Sequence, residues 1–232
     1  MNTKLILGFL SDIAHHNSRE WMAEHQQYYK DARNDFERGV AQLIPALTVL
    51  DTDVAHITVK DATYRFNRDT RFSPDKSPYK RHFGAYIAAH GKKAFHGGYY
   101  IHLEPGKCMV ACGNYCLPTN ILNSCRNEIM ANIDTWLDAV ENDEFVSLFG
   151  QVPPSSADAP CGFGIEHLKT CPSGFPKDYE YIKYLRMKDY CCWHNVDDSF
   201  YDGNDWIERS VDMFRVAKPM MDIVNSVIDD YE

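Results

Sequence analysis

The sequence predicts an α+β fold in which a central antiparallel β-meander is flanked by N- and C-terminal helices. Three observations predict it. Apolar residues recur at helical spacing over the first fifty positions and again after Pro118, and between Ala62 and Ala111 the period falls to two. Glycine and proline turn signals divide that middle stretch, as the hairpins of a meander require.

At the N-terminus, Leu5, Phe9 and Ile13 share one helical face. Asn17 or Ser18 suits the cap of a second helix running to about Leu47, whose core face carries Trp21, Tyr28, Ala32, Phe36, Val40 and Leu43. Glu20 stands near its first turn, where a negative charge suits the helix dipole. From Ala62 to Asn67, Tyr64 and Phe66 alternate with Arg65 and Asn67, which predicts a strand with the two aromatics facing the core. A polar connection, Arg68 to Lys80, leads into three further alternations: Phe83, Ala85 and Ile87; Tyr99, Ile101 and Leu103; and Met109 and Ala111. Gly91-Lys92-Lys93 and Pro105-Gly106 supply the turns between them, the second suited to type I or II.

Helical spacing returns with Ile121, Leu122, Ile129 and Ile133, then Trp136, Leu137, Val140, Phe145 and Leu148. Three prolines and two glycines make Val152 to Gly164 a loop. A short helix is expected at Tyr179–Leu185, a strand at Met187–His194 with Met187, Asp189 and Cys191 on one side, and a last helix from Asp205, kinked or broken near Pro219. No internal repeat appears, and one domain spanning residues 1–232 is the simplest organisation.

The chain has 232 residues, of which 44% are apolar and 13% aromatic, which excludes a disordered or collagen-like protein. Asp12 interrupts the early apolar stretch without a small-residue cleavage pattern, and no run reaches the length of a membrane span, so a cytoplasmic protein without membrane partners is expected. Eight cysteines include the four-residue repeat Cys108, Cys112 and Cys116 and the vicinal pair Cys191-Cys192. On a strand, Cys108 and Cys112 would lie about 13 Å apart, too far for joint ligation of a metal. Reduced, mostly buried thiols are the expectation.

The net charge of −9 speaks against general nucleic-acid binding, but it is unevenly spread. Between Lys60 and Lys93 nine basic residues face three acids, a local +6 that leaves the remaining chain at −15. The run from Tyr64 to Tyr79 holds the densest part. Guanidinium forks grip phosphate or carboxylate in a bidentate manner, so converging arginines make an oxyanion site. On this reading Arg65, Arg68 and Arg71 contact a small anion and Lys76 and Lys80 add charge. Asp69 and Asp75 hold the arginines, and Tyr79 or His102 serves as donor or proton carrier. The competing reading is an ion-pair network that only braces a long loop.

The run Arg65-x-x-Arg68-Asp69-x-Arg71-Phe72-x-x-Asp75-Lys76-x-x-Tyr79-Lys80 resembles the signature of bacterial and fungal proteins grouped as domain of unknown function 2461. Further matching pieces are Asn17-Ser18-Arg19-Glu20-Trp21, Phe83-Gly84-Ala85, Gly98-Tyr99-Tyr100-x-His102-x-Glu104-Pro105-Gly106, Gly174-Phe175-Pro176-Lys177-Asp178 and Ala217-Lys218-Pro219. The resemblance implies a single domain of about this length and names no chemistry or cofactor. The cysteines are not part of the pattern.

Other chemistries have less support. A metal-dependent hydrolase or phosphoesterase would draw on the available set Glu104, His102, His82 and Asp69, with His102, Glu104 and Asp69 its leading members, since Tyr100, His102 and Glu104 would share a strand face. No nucleophile elbow, P-loop or dinucleotide-binding glycine run exists. Aromatics interleaved with the basic residues would suit single-stranded nucleic acid, but most fall on core-facing positions, and a surrounding −15 repels a long polyanion more than a compact ion.

Overall fold

The computed structural model describes residues 1–153 and 159–230. The fold is α+β, with helices at both ends of a five-stranded antiparallel sheet. Helices α1 (Thr3–His15), α2 (Arg19–Glu24), α3 (Gln26–Leu50) and the single turn α4 (Val59–Ala62) precede strands β1 (Phe83–Ile87), β2 (Gly98–Leu103) and β3 (Cys108–Asn114). Helices α5 (Thr119–Ala131), α6 (Ile133–Val140) and α7 (Asp143–Phe149) follow, then β4 (Cys161–Phe163), α8 (Ile182–Leu185), β5 (Tyr190–Val196) and α9 (Trp206–Asp229). The strand order β1-β2-β3-β5-β4 keeps the expected meander intact and adds a second hairpin-like pair at its far side.

Contacts cluster into two units. The first comprises Met1–Lys92, Tyr100–Met109 and Val196–Val211. Its core is aromatic and centres on Phe83, whose ring lies 5.2 Å from Phe66, 5.4 Å from Phe36 and 6.0 Å from Phe9. Asn2 caps α1 through the Leu5 amide, 3.1 Å away. Its backbone N–H also donates to the buried Asp35 carboxylate, which Arg38 pairs from the same helix.

The second unit comprises Lys93–Tyr99, Val110–Asn195 and Asp212–Glu232. Trp136 is fully buried there, 5.5 Å from Tyr190, 5.7 Å from Tyr184 and 6.1 Å from Phe163. Buried Arg126 donates to the Leu185 and Met187 carbonyls at 2.7 and 2.9 Å, closing the end of α8. Asp189, also buried, accepts from the Ile165 and Glu166 amides, both at 2.9 Å.

Several local expectations are corrected. The second helix is broken at His25, whose φ of −109° and ψ of 23° leave the helical region and whose ring stacks on Trp21 at 4.1 Å, with both its Nδ1 and its backbone N–H on the Trp21 carbonyl. Trp21 and Tyr28 are only half-buried. Residues 62–67 do not form a regular strand. Thr58 and Asp61 make a capping box that winds Ala62 into α4, and isolated bridges join Thr63 to Ala85 and Asn67 to Tyr79. In β3 the buried face carries Cys108, Val110 and Cys112, one residue out of register with the expected Met109 and Ala111.

The expected loop at 152–164 contains β4, which pairs Cys161 with His194 and Phe163 with Cys192; residues 154–158 of that expectation lie outside the described residues. The Tyr179–Leu185 helix is shorter, the last strand begins at Tyr190, and Met187 bridges His167 instead. Helix α9 runs unbroken through Pro219, as α3 does through Pro45. All eight cysteines are free thiols, five of them buried. Among the described residues no helix is long and apolar enough to cross a membrane.

Gly113 gives the clearest test of this packing. Its φ of +115° excludes ordinary side chains, and a Cβ there would lie 2.2 Å from the Tyr190 carbonyl oxygen. Gly113→Ala is expected to lower stability by at least the 1–3 kcal/mol typical of overpacking, measured by urea unfolding.

Candidate functional site

Asn17 builds the first wall of a cleft. Ser18 is the residue that caps α2, accepting from the Trp21 amide at 3.1 Å, which leaves the Asn17 amide for a long-range task. Its Nδ2 donates to the Tyr79 carbonyl and its Oδ1 accepts from the Tyr79 N–H, both at 3.0 Å. The side chain thus pairs with the Tyr79 backbone as a neighbouring strand would. Opposite, the Arg68 N–H donates to the Pro78 carbonyl at 2.9 Å and the Lys80 N–H to Phe66 at 3.0 Å, which closes the loop from 68 to 78 on a short two-stranded base. The Tyr79 ring stacks on Phe66 at 5.8 Å, tying that base to the aromatic core.

The resulting cleft has a volume of about 450 Å³, within the range of small-molecule sites. Asn17 to Glu20 line one side; Asn67, Arg68 and Thr70, then Lys76, Pro78 and Tyr79, line the other. Arg19, Arg68 and Lys76 bring three positive charges against the single carboxylate of Glu20.

Of the three arginines expected to converge, only Arg68 lines the cleft. Its Nη1 donates to Asp75 Oδ2 at 2.6 Å and to the Ser77 carbonyl at 3.1 Å, while Nη2 lies 3.3 Å from Ser73 Oγ. Asp75 also accepts from the Ser77 hydroxyl at 2.5 Å and its N–H at 2.9 Å. The Ser77 hydroxyl and amide, then Arg68, hold its carboxyl far below the usual range. Arg71 makes a two-pronged pair with Asp69 on the exposed surface, at 2.7 and 3.0 Å, which lowers the carboxyl of Asp69. Arg65 is exposed. Lys76 Nζ donates to the Thr70 carbonyl at 2.9 Å. Lys80 sits 5.0 Å over the half-buried Tyr64 ring, outside the cleft lining, and burial lowers its pKa.

A second constellation forms where β1 begins and β2 ends. Antiparallel neighbours place the start of one beside the finish of the other, so His82, just before β1, meets His102 and Glu104. The two imidazoles stack at 4.5 Å. His102 Nε2 is 3.3 Å from Glu104 Oε2, and its Nδ1 is 2.8 Å from the Tyr100 hydroxyl. Burial, then the neighbouring His102, pulls the His82 pKa down to about 4. The hydrogen bond from His102 lowers Glu104, and burial raises the Tyr100 phenol. Beside them the buried Cys108 thiol is pushed up to about 12, again by burial, and donates to the Glu104 carbonyl at 3.5 Å. The next turn is type II in form: the Lys107 N–H donates to Glu104 at 2.9 Å, Gly106 has φ +71°, and its N–H donates to the Asp198 carboxylate. Asp69 is not part of this group; of the four candidates His82, His102 and Glu104 come together.

The family model described as Conserved hypothetical protein (DUF2461) matches residues 5–223 of the chain. The chain belongs to that family. No curated protein and no solved structure matches it. The match to DUF2461 takes in both constellations. Sequence reasoning missed Asn17 and Arg19 as parts of the cleft, while His82 stood in its candidate set for the second group with Asp69 preferred over it. Asn17 and Arg19 lie in Asn17–Trp21, a piece already noted for its resemblance.

Two outcomes follow from this geometry. Asn17→Ala leaves the Tyr79 N–H and C=O without their partner, so unfolding stability is expected to fall by about 1–3 kcal/mol and the Tyr79 amide to exchange faster. Because folding lowers the His82 pKa from 6.5 to about 4, the unfolded chain binds that proton more readily. The stability His82 contributes is therefore complete above pH 6.5 and declines as pH falls towards 4. Urea melts across that window should show a shallower decline for His82→Gln.

Proposed function

We propose that the chain binds a small anionic ligand, phosphate- or carboxylate-bearing, in the cleft between α2 and the 67–79 loop. The observation that carries this reading is the arrival of Arg19, Arg68 and Lys76, from three separate stretches, at one cleft with Glu20 the only acid among its described lining residues. Asn17, Ser18, Thr70 and Tyr79 add neutral groups able to hydrogen-bond the ligand. The acidity of the rest of the chain favours a compact ion over a long polyanion.

A second reading is favoured by the Arg68–Asp75 and Arg71–Asp69 pairs, in which the arginines brace the loop and hold nothing further. The two readings differ in what Arg19 and Lys76 do, since among the described residues neither completes such a pair with a carboxylate; Lys76 donates to the Thr70 carbonyl.

Calorimetric titration with inorganic phosphate and with citrate separates them. Losing one charge-assisted contact costs about 1.5–3 kcal/mol, so Arg19→Ala and Arg68→Ala are each expected to weaken binding about tenfold or more. The melting temperature of Arg19→Ala should stay near wild type. Equal affinities in wild type and both variants, or no binding of either anion, overturn the proposal. A lowered melting temperature in Arg68→Ala with unchanged anion affinity supports the bracing reading.

A further inference from the structure

We infer that His82, His102 and Glu104 form a binding site for a first-row divalent metal ion, separate from the cleft and independent of its ligand. Their donor atoms all lie within 4.8 Å of one another, and two imidazoles with one carboxylate make a donor set used for zinc, iron and manganese.

The distances favour ligation over a simple hydrogen bond. A charge-assisted N–H···O contact between His102 and Glu104 should be about 2.7–2.9 Å. The observed 3.3 Å is long for that. Two donors each about 2.1 Å from one tetrahedral ion stand about 3.4 Å apart, close to what is found. By the same tetrahedral geometry two imidazoles bound to one ion have ring centres about 5.2 Å apart, and the His82 and His102 rings, at 4.5 Å, are within about 1 Å of that.

The surroundings suit the same role. Among the described residues the His82 ring stacks on His102 and takes no hydrogen bond, so its lone pair is uncommitted. Tyr100 Oη engages His102 Nδ1, which leaves Nε2, the nitrogen beside Glu104, for the ion. A second partner of this kind orients most metal-bound imidazoles. Gly84 makes room for it: a Cβ there would lie 2.5 Å from the Tyr100 hydroxyl. On the far side, Lys107 lies 3.7 Å from Glu104 Oε1 and leaves Oε2 turned to the histidines. His102 and Glu104 keep 13% and 24% of their side-chain surface exposed, so an ion and its remaining water or substrate ligands can reach the site from solvent. Three protein donors leave at least one coordination position open, the arrangement of catalytic rather than structural sites.

The test is metal titration of the reduced, chelator-treated full chain with Zn²⁺ by calorimetry and with Co²⁺ by visible absorption. One ion per chain is expected, with Co²⁺ bands free of thiolate charge transfer. His82→Ala and Glu104→Gln should each weaken Zn²⁺ binding more than tenfold. Tyr100→Phe, which removes only the positioning contact, should weaken it about tenfold or more while leaving the stoichiometry at one. Cys116→Ser, at the one exposed thiol, should bind as wild type does. Circular dichroism establishes that each variant is folded, and His82→Gln replaces His82→Ala if the smaller side chain unfolds the sheet edge. Unchanged affinity in both ligand variants, loss of binding in Cys116→Ser, or failure of the wild type to take up either ion overturns the inference.

Discussion

The pairing of the Asn17 amide with the Tyr79 backbone is the constraint on which the cleft depends. Two hydrogen bonds of 3.0 Å join residues sixty-two positions apart and set the distance between the cleft walls. An aspartate could accept but not donate, and a leucine could do neither, so only a side-chain amide meets both needs of a peptide unit. Behind this contact the Phe66–Tyr79 stack transfers the position of the loop base to the Phe83 cluster, where close packing resists displacement. The cleft is therefore anchored to the core at its base, and its far end, from Asp69 to Lys76, is held by charge.

That charge is arranged unequally. Arg71 and Asp69 satisfy each other on the surface, in water and salt, where such a pair contributes little. Arg68 is more enclosed and serves three acceptors at once, so it ties Asp75, Ser77 and Ser73 into one local network while its side chain still borders the cleft. Bracing and ligand contact are compatible for a guanidinium with five donors. Lys80 shows the opposite outcome: packed over Tyr64 and short of water, it gives up part of its basicity to burial and faces away from the cleft lining.

The His82, His102 and Glu104 group arises from antiparallel pairing alone. Residues twenty apart in sequence meet because one strand starts where its neighbour ends, and the period of two puts Tyr100, His102 and Glu104 on a common side. The turn that follows is fixed by Gly106 and the Asp198 carboxylate, and the Glu104 carboxylate is held between His102 and Lys107. Burial then makes the His82 imidazole hard to protonate.

Local pattern was enough to read the helices of both termini, the meander, its two turns and the concentration of basic charge between Lys60 and Lys93. These depend on spacing and on the conformational limits of glycine and proline, which act between near neighbours. Where local signals competed, pattern misled: the Thr58–Asp61 capping box overrode a period-two run, and Pro219 lies inside a helix that continues past it. The arginine run announced its charge but not its direction: Arg71 pairs with Asp69 on the surface, Arg65 stands exposed, and Arg68 alone of the three borders the cleft. The contributions of Asn17 and Arg19, and the choice of His82 over Asp69, came from chain folding, since hydrogen bonding and ligation act over about 3 Å in space, whatever the separation along the chain.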